Sequence, residues 1–380
     1  MPVSRYPYSD GVRAIGLSRP ARIRGWLPGG WLLGPVIAAV ALAGCGGTAL
    51  AHPAAANPGH GAATRSAGPS AAAVPSVSAA PSASPAAGAG LPVPAALTPF
   101  TSRGPARQGN WHPAGRRVRG QAAVYETRLV PPGGSQPAGI AWMDSPLLSA
   151  RLYSGSISPG GGPYRFTAPI QPAQAASVVA AFNGGFKMPD SHGGYYTQGR
   201  VIDPLRRGAA SLVIYANGSV NIGAWGTDVR MTSAVVGVRQ NLVPLVAGGQ
   251  PTAAARGPWQ AWGNTCGANS CAASVPGIDH QWRSGVGITA DGALVYATGP
   301  GLDPLQLAQL LVRAGVIRGM QLDINPYWPV FATYDPRTPH GLAAPSNGHR
   351  LLSGTIQGPA TFFQASWARD FITMSVRPAG

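Results

Sequence analysis

Three short stretches hold residue types suited to chemistry on an anionic substrate. In the first, the apolar run Val178-Val179-Ala180-Ala181-Phe182 leads into Asn183-Gly184-Gly185-Phe186-Lys187. Paired glycines can take positive φ and let a ligand approach backbone amides as an anion nest, although Asn-Gly-Gly is also a common turn. Lys187 is the one lysine beside 27 arginines, so it marks a place where a compact ammonium is wanted in preference to a planar fork. In the second stretch, Arg283 precedes Ser284-Gly285-Val286-Gly287. A guanidinium there can grip a phosphate with two parallel hydrogen bonds, or serve as an ordinary surface cation. The third is Leu322-Asp323-Ile324-Asn325. An aspartate among apolar strand residues is costly unless paired, hydrogen-bonded or metal-bound, so a functional carboxylate and a structural salt bridge stand level at this point. Asp323 and Asn325 are oxygen donors that suit a hard divalent cation, but two ligands from one strand do not define a metal site. His192 is a candidate acid or base, although a loop histidine is more often simply solvated.

The elements that must position these residues follow from punctuation. Ser211–Tyr215 and Ser219–Ile222 flank an Asn217-Gly218 turn and read as a hairpin; Gly285–Thr289 and Ala293–Ala297 do the same around Asp291-Gly292. Asp303-Pro304 reads as a helix N-cap with a first-turn proline, and Leu305, Leu307, Leu310 and Leu311 give that helix an apolar face before Gly315. A strand through Met320–Ile324 then carries Asp323 to its end, where Pro326, Trp328 and Pro329 stop further ladder pairing. Together these elements predict an α+β fold: a mixed β-sheet domain with hairpins and a few helices, over residues 121–380.

Two other segments precede the domain. Residues 1–44 carry five arginines and one aspartate ahead of an apolar stretch, Trp31 to Ala43, shorter than the ~20 residues that span a bilayer. It ends in Leu42-Ala43-Gly44-Cys45, which resembles a bacterial lipobox and makes Cys45 the lipidation candidate. The expected location is the outer face of the cytoplasmic membrane, held by the lipid; a signal anchor or secretion is the alternative. Loss of residues 1–44 takes the formal charge from +16 to +12. Residues 45–120 are rich in Ala, Pro, Ser and Gly and read as a disordered tether. Cys266 and Cys271, separated by Gly-Ala-Asn-Ser in an exported chain, suit a disulfide better than a metal site. Nucleic acid is a poor partner for this chain despite its basic pI, because the arginines are scattered and no helix carries a basic stripe.

Taken in order, the stretches resemble the phosphodiester glycosidase family, which includes bacterial exopolysaccharide-associated proteins. The family's landmarks fall at Asn183-Gly184-Gly185-Phe186, at Pro244-Leu245-Val246 with Gly248, at Arg283-Ser284-Gly285-Val286-Gly287, and at Leu322-Asp323. The match covers roughly residues 175–375. Where the family continues with Gly-Gly-Gly-Ser after the aspartate, this chain has Ile324-Asn325-Pro326-Tyr327-Trp328, a stiffer loop offering an amide and stacking rings. The resemblance implies a hydrolase cleaving a sugar–phosphodiester bond in cell-wall or exopolysaccharide material. Lys187, Arg283 and the Gly184 and Gly185 amides would hold the phosphate. Asp323 would activate water or stabilise the cationic carbon, with His192 as a further acid or base. Asn183, Asn325, Tyr327 and Trp328 would contact the sugar. A released phosphomonoester is a good leaving group, so strong acid help is less necessary, consistent with a chain that holds one glutamate, Glu126. The competing expectation is a non-catalytic lipoprotein that binds anionic cell-wall glycan through the same pocket.

Overall fold

The computed structural model describes residues 89–258, 262, 280–324, 326–338 and 340–378. Cys45, Cys266, Cys271 and Asn325 lie outside the described residues. In chain order the strands are β1 (His112–Val118), β2 (Gln121–Leu129), β3 (Ala138–Met143), β4 (Leu148–Tyr153), β5 (Val178–Asn183), β6 (Tyr195–Thr197), β7 (Arg200–Asp203), β8 (Ala210–Tyr215), β9 (Val220–Ala224), β10 (Val235–Gln240), β11 (Val246–Ala247), β12 (Gln250–Pro251), β13 (Gln281–Thr289), β14 (Leu294–Leu302), β15 (Val316–Ile324), β16 (Phe331–Tyr334), β17 (Gly348–Arg350) and β18 (Phe371–Val376). The α-helices are α1 (Pro172–Ala175), α2 (Met188–Ser191) and α3 (Pro304–Arg313). The expected α+β balance shifts accordingly: strands dominate, and α3 alone among the described helices runs beyond one turn.

Three antiparallel sheets form from these strands. One has eight, in the order β1-β2-β3-β14-β13-β15-β11-β12; two have five, in the orders β7-β6-β10-β8-β9 and β17-β16-β5-β18-β4. The two expected hairpins are present as β8–β9 and β13–β14. Gly218 takes φ 77° at the first turn, which only a residue without a Cβ adopts freely, and Asn217 Oδ1 accepts from the Ser219 amide at 2.9 Å. The helix cap is also present. Asp303 Oδ1 accepts from the Gln306 amide at 2.6 Å and Gln306 Oε1 from the Asp303 amide at 3.0 Å, a reciprocal capping box.

Alternation along the strands sends side chains to both faces of the eight-stranded sheet. On one face Val124, Ala141, Val286, Tyr296 and Met320 pack with Leu212, Ile214, Phe182, Ile372 and Met374 of the two smaller sheets. On the other face Leu307, Leu310 and Leu311 of α3 are fully buried against Val295, Ala297 and Val316. Each such leucine contributes roughly 2 kcal/mol of burial.

The domain begins earlier than composition suggested. Residues 89–111 form a strap in which Leu91, Leu97, Phe100 and Trp111 pack on the α3 face. The Leu91 amide donates to Asp144 Oδ2 at 2.8 Å, and Arg313 stacks on Phe100 at 4.0 Å while bonding Thr98 O at 2.5 Å. Strand β1 then adds to the sheet edge, with a register shift between Ala114 and Arg117 around Gly115, φ 68°. A Pro- and Gly-containing edge strand makes its bonds through the backbone, so residue types gave little sign of it.

Candidate functional site

The candidate site is built at the C-terminal end of β15. Ser284 sits where β13 and β15 shift register between Arg283 and Gly285. Its hydroxyl replaces a ladder bond: Oγ accepts from the Asp323 amide at 3.1 Å and lies 3.3 Å from the Asp323 carbonyl. That fixes the backbone of Asp323, whose side chain is 2% exposed as a residue and points into the protein. Oδ1 accepts from the Ile324 amide at 2.8 Å, and Oδ2 receives Arg369 Nη2 at 2.5 Å. Burial raises the Asp323 carboxyl from 3.8 to about 6, against the opposing pull of Arg369.

Arg369 organises the rest. Its Nη2 also reaches Gly185 O at 3.3 Å, and its guanidinium lies 4.6 Å from the Trp328 ring centre. Trp328 contacts Trp367 at 5.5 Å and Tyr327 at 4.7 Å, and Tyr327 is 42% exposed. Arg369 Nε is buried without a hydrogen-bond partner among the described residues. The guanidinium therefore keeps an unsatisfied donor inside the protein.

A second buried ion pair lies against the first. Asp370, the next residue, receives Arg239 Nε at 2.7 Å and Nη2 at 3.2 Å. Arg239 also donates to Gln240 O at 2.5 Å and to Phe186 O. Asn241 completes the frame: its Oδ1 accepts from the Phe186 amide at 3.0 Å and its Nδ2 donates to Gln321 O and Leu322 O at 3.0 and 2.9 Å. Thus β10, β15, β18 and the segment after β5 are tied by charged and amide side chains. Residue types carried one overlooked sign of this: Arg369-Asp370 is an adjacent charge pair directly before an apolar strand.

Several expectations change. Asn183 does not have hydrogen-bonding capacity left for a sugar. Its Nδ2 donates to Gly184 O at 2.8 Å and Ser284 Oγ at 3.0 Å, and its Oδ1 accepts from Tyr296 OH at 2.8 Å and the Val330 amide at 3.1 Å. Gly184 and Gly185 are not positive-φ residues; they are small because of what faces them. A Cβ on Gly184 would lie 2.1 Å from Asp370 Oδ2, and one on Gly185 2.7 Å from Asn241 Oδ1. The Gly184 amide already donates to Asp370 O at 2.8 Å, so it is not an anion donor. Arg283 is buried and donates to Leu302 O at 2.7 Å, Gln321 Oε1 at 3.0 Å and Trp262 O at 3.2 Å, which makes it a brace between β13, β14 and β15. A divalent cation at Asp323 would have to displace the Arg369 guanidinium, and among the described residues no group of three metal-ligating side chains occurs.

Lys187 and His192 flank the short α2 and are both exposed, His192 in the left-handed region at φ 49°. Among the described residues neither side chain makes a hydrogen bond or ion pair. The structure thus brings Asp323, Tyr327 and Trp328 together through Arg369, puts Asn183, Gly184, Gly185 and Arg283 behind them as support, and leaves Lys187 and His192 at the surface.

The class defined by this fold and site is a three-sheet antiparallel domain with a buried carboxylate–guanidinium pair below an aromatic loop. No family model matches the chain, and no curated protein matches it by sequence. Among solved structures it is similar to the catalytic domain of zebrafish N-acetylglucosamine-1-phosphodiester alpha-N-acetylglucosaminidase, at TM-score 0.40 and 14% identity over 71% of this chain and 88% of that one. It is also similar to a hypothetical protein from Synechocystis, at TM-score 0.37 and 12% identity over 70% and 64% of the two chains.

Proposed function

We propose that the domain is an extracytoplasmic, lipid-anchored hydrolase that cleaves the glycosidic carbon–oxygen bond of a sugar phosphodiester in cell-wall or exopolysaccharide material. The observation that carries the reading is the buried Asp323–Arg369 pair, whose guanidinium lies 4.6 Å from the Trp328 ring centre. Arg369 takes the place that the order of motifs assigned to Arg283 and meets the phosphate, with Lys187 as an outer cation. Trp328 and Tyr327 stack against the sugar. As Arg369 turns to the phosphate, the Asp323 carboxylate accepts a proton from water, whose oxygen attacks the anomeric carbon. The carbon–oxygen bond to phosphate breaks, and its electron pair leaves on the phosphomonoester. A carboxyl held near 6 is suited to that proton transfer at neutral pH. His192 stands as a further acid or base at the surface.

The test is product release from a panel of sugar-1-phosphodiesters by the purified chain and by Asp323→Asn, with near-ultraviolet circular dichroism as the check on folding. Release by the parent chain and loss of it in a folded Asp323→Asn protein supports the assignment; equal release by both sinks it. A second reading, a non-catalytic module for anionic cell-wall glycan, is favoured by one feature: both Asp323 oxygens already have protein partners. Binding of wall glycan without turnover selects it.

A further inference from the structure

Strand β7 is the edge of one five-stranded sheet, and the segment 156–166 lies along it. Arg200 Nη2 donates to Gly161 O at 2.9 Å, and the Arg165 amide donates to Gln198 Oε1 at 3.0 Å. The Gln198 amide in turn donates to Val236 O at 3.2 Å. Segment 156–166, the β6–β7 hairpin and the start of β10 therefore form one continuous surface.

That surface holds large aliphatic side chains in water: Ile157 is 73% exposed, Val201 59% and Val236 41%. Their positions are fixed by the backbone. The Ile157 and Ser158 amides both donate to Ala368 O, at 3.3 and 2.9 Å, and a Cβ on neighbouring Gly155 would lie 2.4 Å from Ala368. Val236 is the extra residue where β10 shifts register against β8 between Val235 and Gly237, and this bulge leaves Val236 outside while Val235 is buried. Exposed aliphatics gathered in one place favour a partner that takes them out of water.

Three arginines stand among them. Arg151 and Arg165 lie 5.0 and 5.3 Å from the centre of the Phe166 ring, and Arg200 lies 5.3 Å from that of Tyr164. Stacking on a ring orders a guanidinium in advance and leaves its edge free for an anion. None of the three forms a salt bridge among the described residues, and segments 151–166 and 196–203 contain one carboxylate, Asp203. A second copy of this chain would set these like charges against each other, and a soluble polyanion would leave the aliphatic side chains in water. An anionic lipid surface meets both demands, with phosphates for the guanidiniums and an acyl boundary for Ile157, Val201 and Val236. We propose that this edge is a docking face for an anionic lipid surface, a role that does not depend on the hydrolase reading.

Hydrogen exchange of the full chain, read segment by segment by mass spectrometry, tests this against phosphatidylglycerol vesicles, phosphatidylcholine vesicles and soluble polyphosphate. Reading by segment separates this face from any contact made upstream of residue 89. Exchange in 156–166 and 198–203 slows at least about threefold on phosphatidylglycerol and is unchanged by phosphatidylcholine and by polyphosphate. Ile157→Asp removes the slowing, as does Arg165→Ala combined with Arg200→Ala. Val93→Asp, an exposed aliphatic of the strap between Leu91 and Leu97, retains it. All four substituted side chains are exposed, so the variants keep the fold. No slowing on phosphatidylglycerol, equal slowing on phosphatidylcholine or polyphosphate, or slowing that grows with protein concentration without vesicles overturns the proposal.

Discussion

Gly184 and Asp370 are packed so closely that the Gly184 amide donates to the Asp370 carbonyl at 2.8 Å, and a methyl group on Gly184 would reach to 2.1 Å from the Asp370 carboxylate. The glycine is therefore a space requirement set by a buried ion pair, and it joins the end of β5 to the start of β18. The Arg239–Asp370 bridge can form only because nothing projects from residue 184.

Gly184→Ala is expected to destabilise the domain by about 1–3 kcal/mol or more, as overpacking against a fixed charge does. Gly237→Ala is the control, because a Cβ there finds nothing nearer than 3.6 Å. Thermal unfolding of the two variants checks the contrast: a clear fall in Tm for Gly184→Ala and a small change for Gly237→Ala.

Removing Arg369 leaves the Asp323 charge buried and uncompensated. Arg369→Ala should cost about 3–5 kcal/mol, and Asp323→Asn in the same chain should return part of it. A double-mutant cycle in denaturant measures the coupling. Additive losses would mean that the 2.5 Å contact carries no energy.

Acid stability follows from buried carboxyls that are raised, Asp144 among them, and most strongly from two. Asp323 rises from 3.8 to about 6 and Glu126 from 4.5 to about 7, in each case chiefly through burial. Between its unfolded and folded values each group keeps a proton in the folded protein that the unfolded chain has released. Each therefore contributes stability that is fully present below the unfolded value and is lost as pH rises through the folded one. Unfolding free energy should fall from about pH 4 to about pH 7, with a slope of at most roughly 1.4 kcal/mol per pH unit from each carboxyl. Glu126→Gln should flatten the part between about pH 4.5 and 7, as read by denaturant midpoints across the range. An unchanged profile would contradict the burial of this carboxyl.

Asn183 belongs to the frame, and its truncation should report as such. Asn183→Ala strands Tyr296 OH, the Val330 amide and Ser284, and should cost about 2–4 kcal/mol of stability. A residue that touched only the sugar would instead leave unfolding unchanged and weaken substrate affinity.

The parts of the fold that residue types revealed were those set by local chemistry. The Asn217-Gly218 and Asp291-Gly292 turns and the Asp303 cap are decided within a few residues, and each appears in the structure. Asp323 was visible because a charge inside an apolar strand is costly wherever the strand goes. Its partner was not, since Arg369 lies 46 positions away and any of many arginines could have served. Arg283 misled for a related reason: a guanidinium at a strand entrance looks the same whether its donors face a phosphate or the carbonyls of Leu302 and Trp262. Strand β1 and the strap before it escaped because four apolar residues dispersed through a Pro- and Gly-rich stretch do not set a period.

The strap bears on how this domain responds to a pull from its upstream side. Tension applied ahead of residue 89 meets the Leu91–Asp144 bond first, then the Arg313–Phe100 stack, and only afterwards the β1–β2 ladder. Further in, the Leu97–Gly109 and Trp111–Ala95 bonds close the strap on itself, and the Gly109–Arg128 bond ties it to β2. Residues 89–111 thus place a set of contacts at the α3 face between the upstream chain and the strands that frame Asp323.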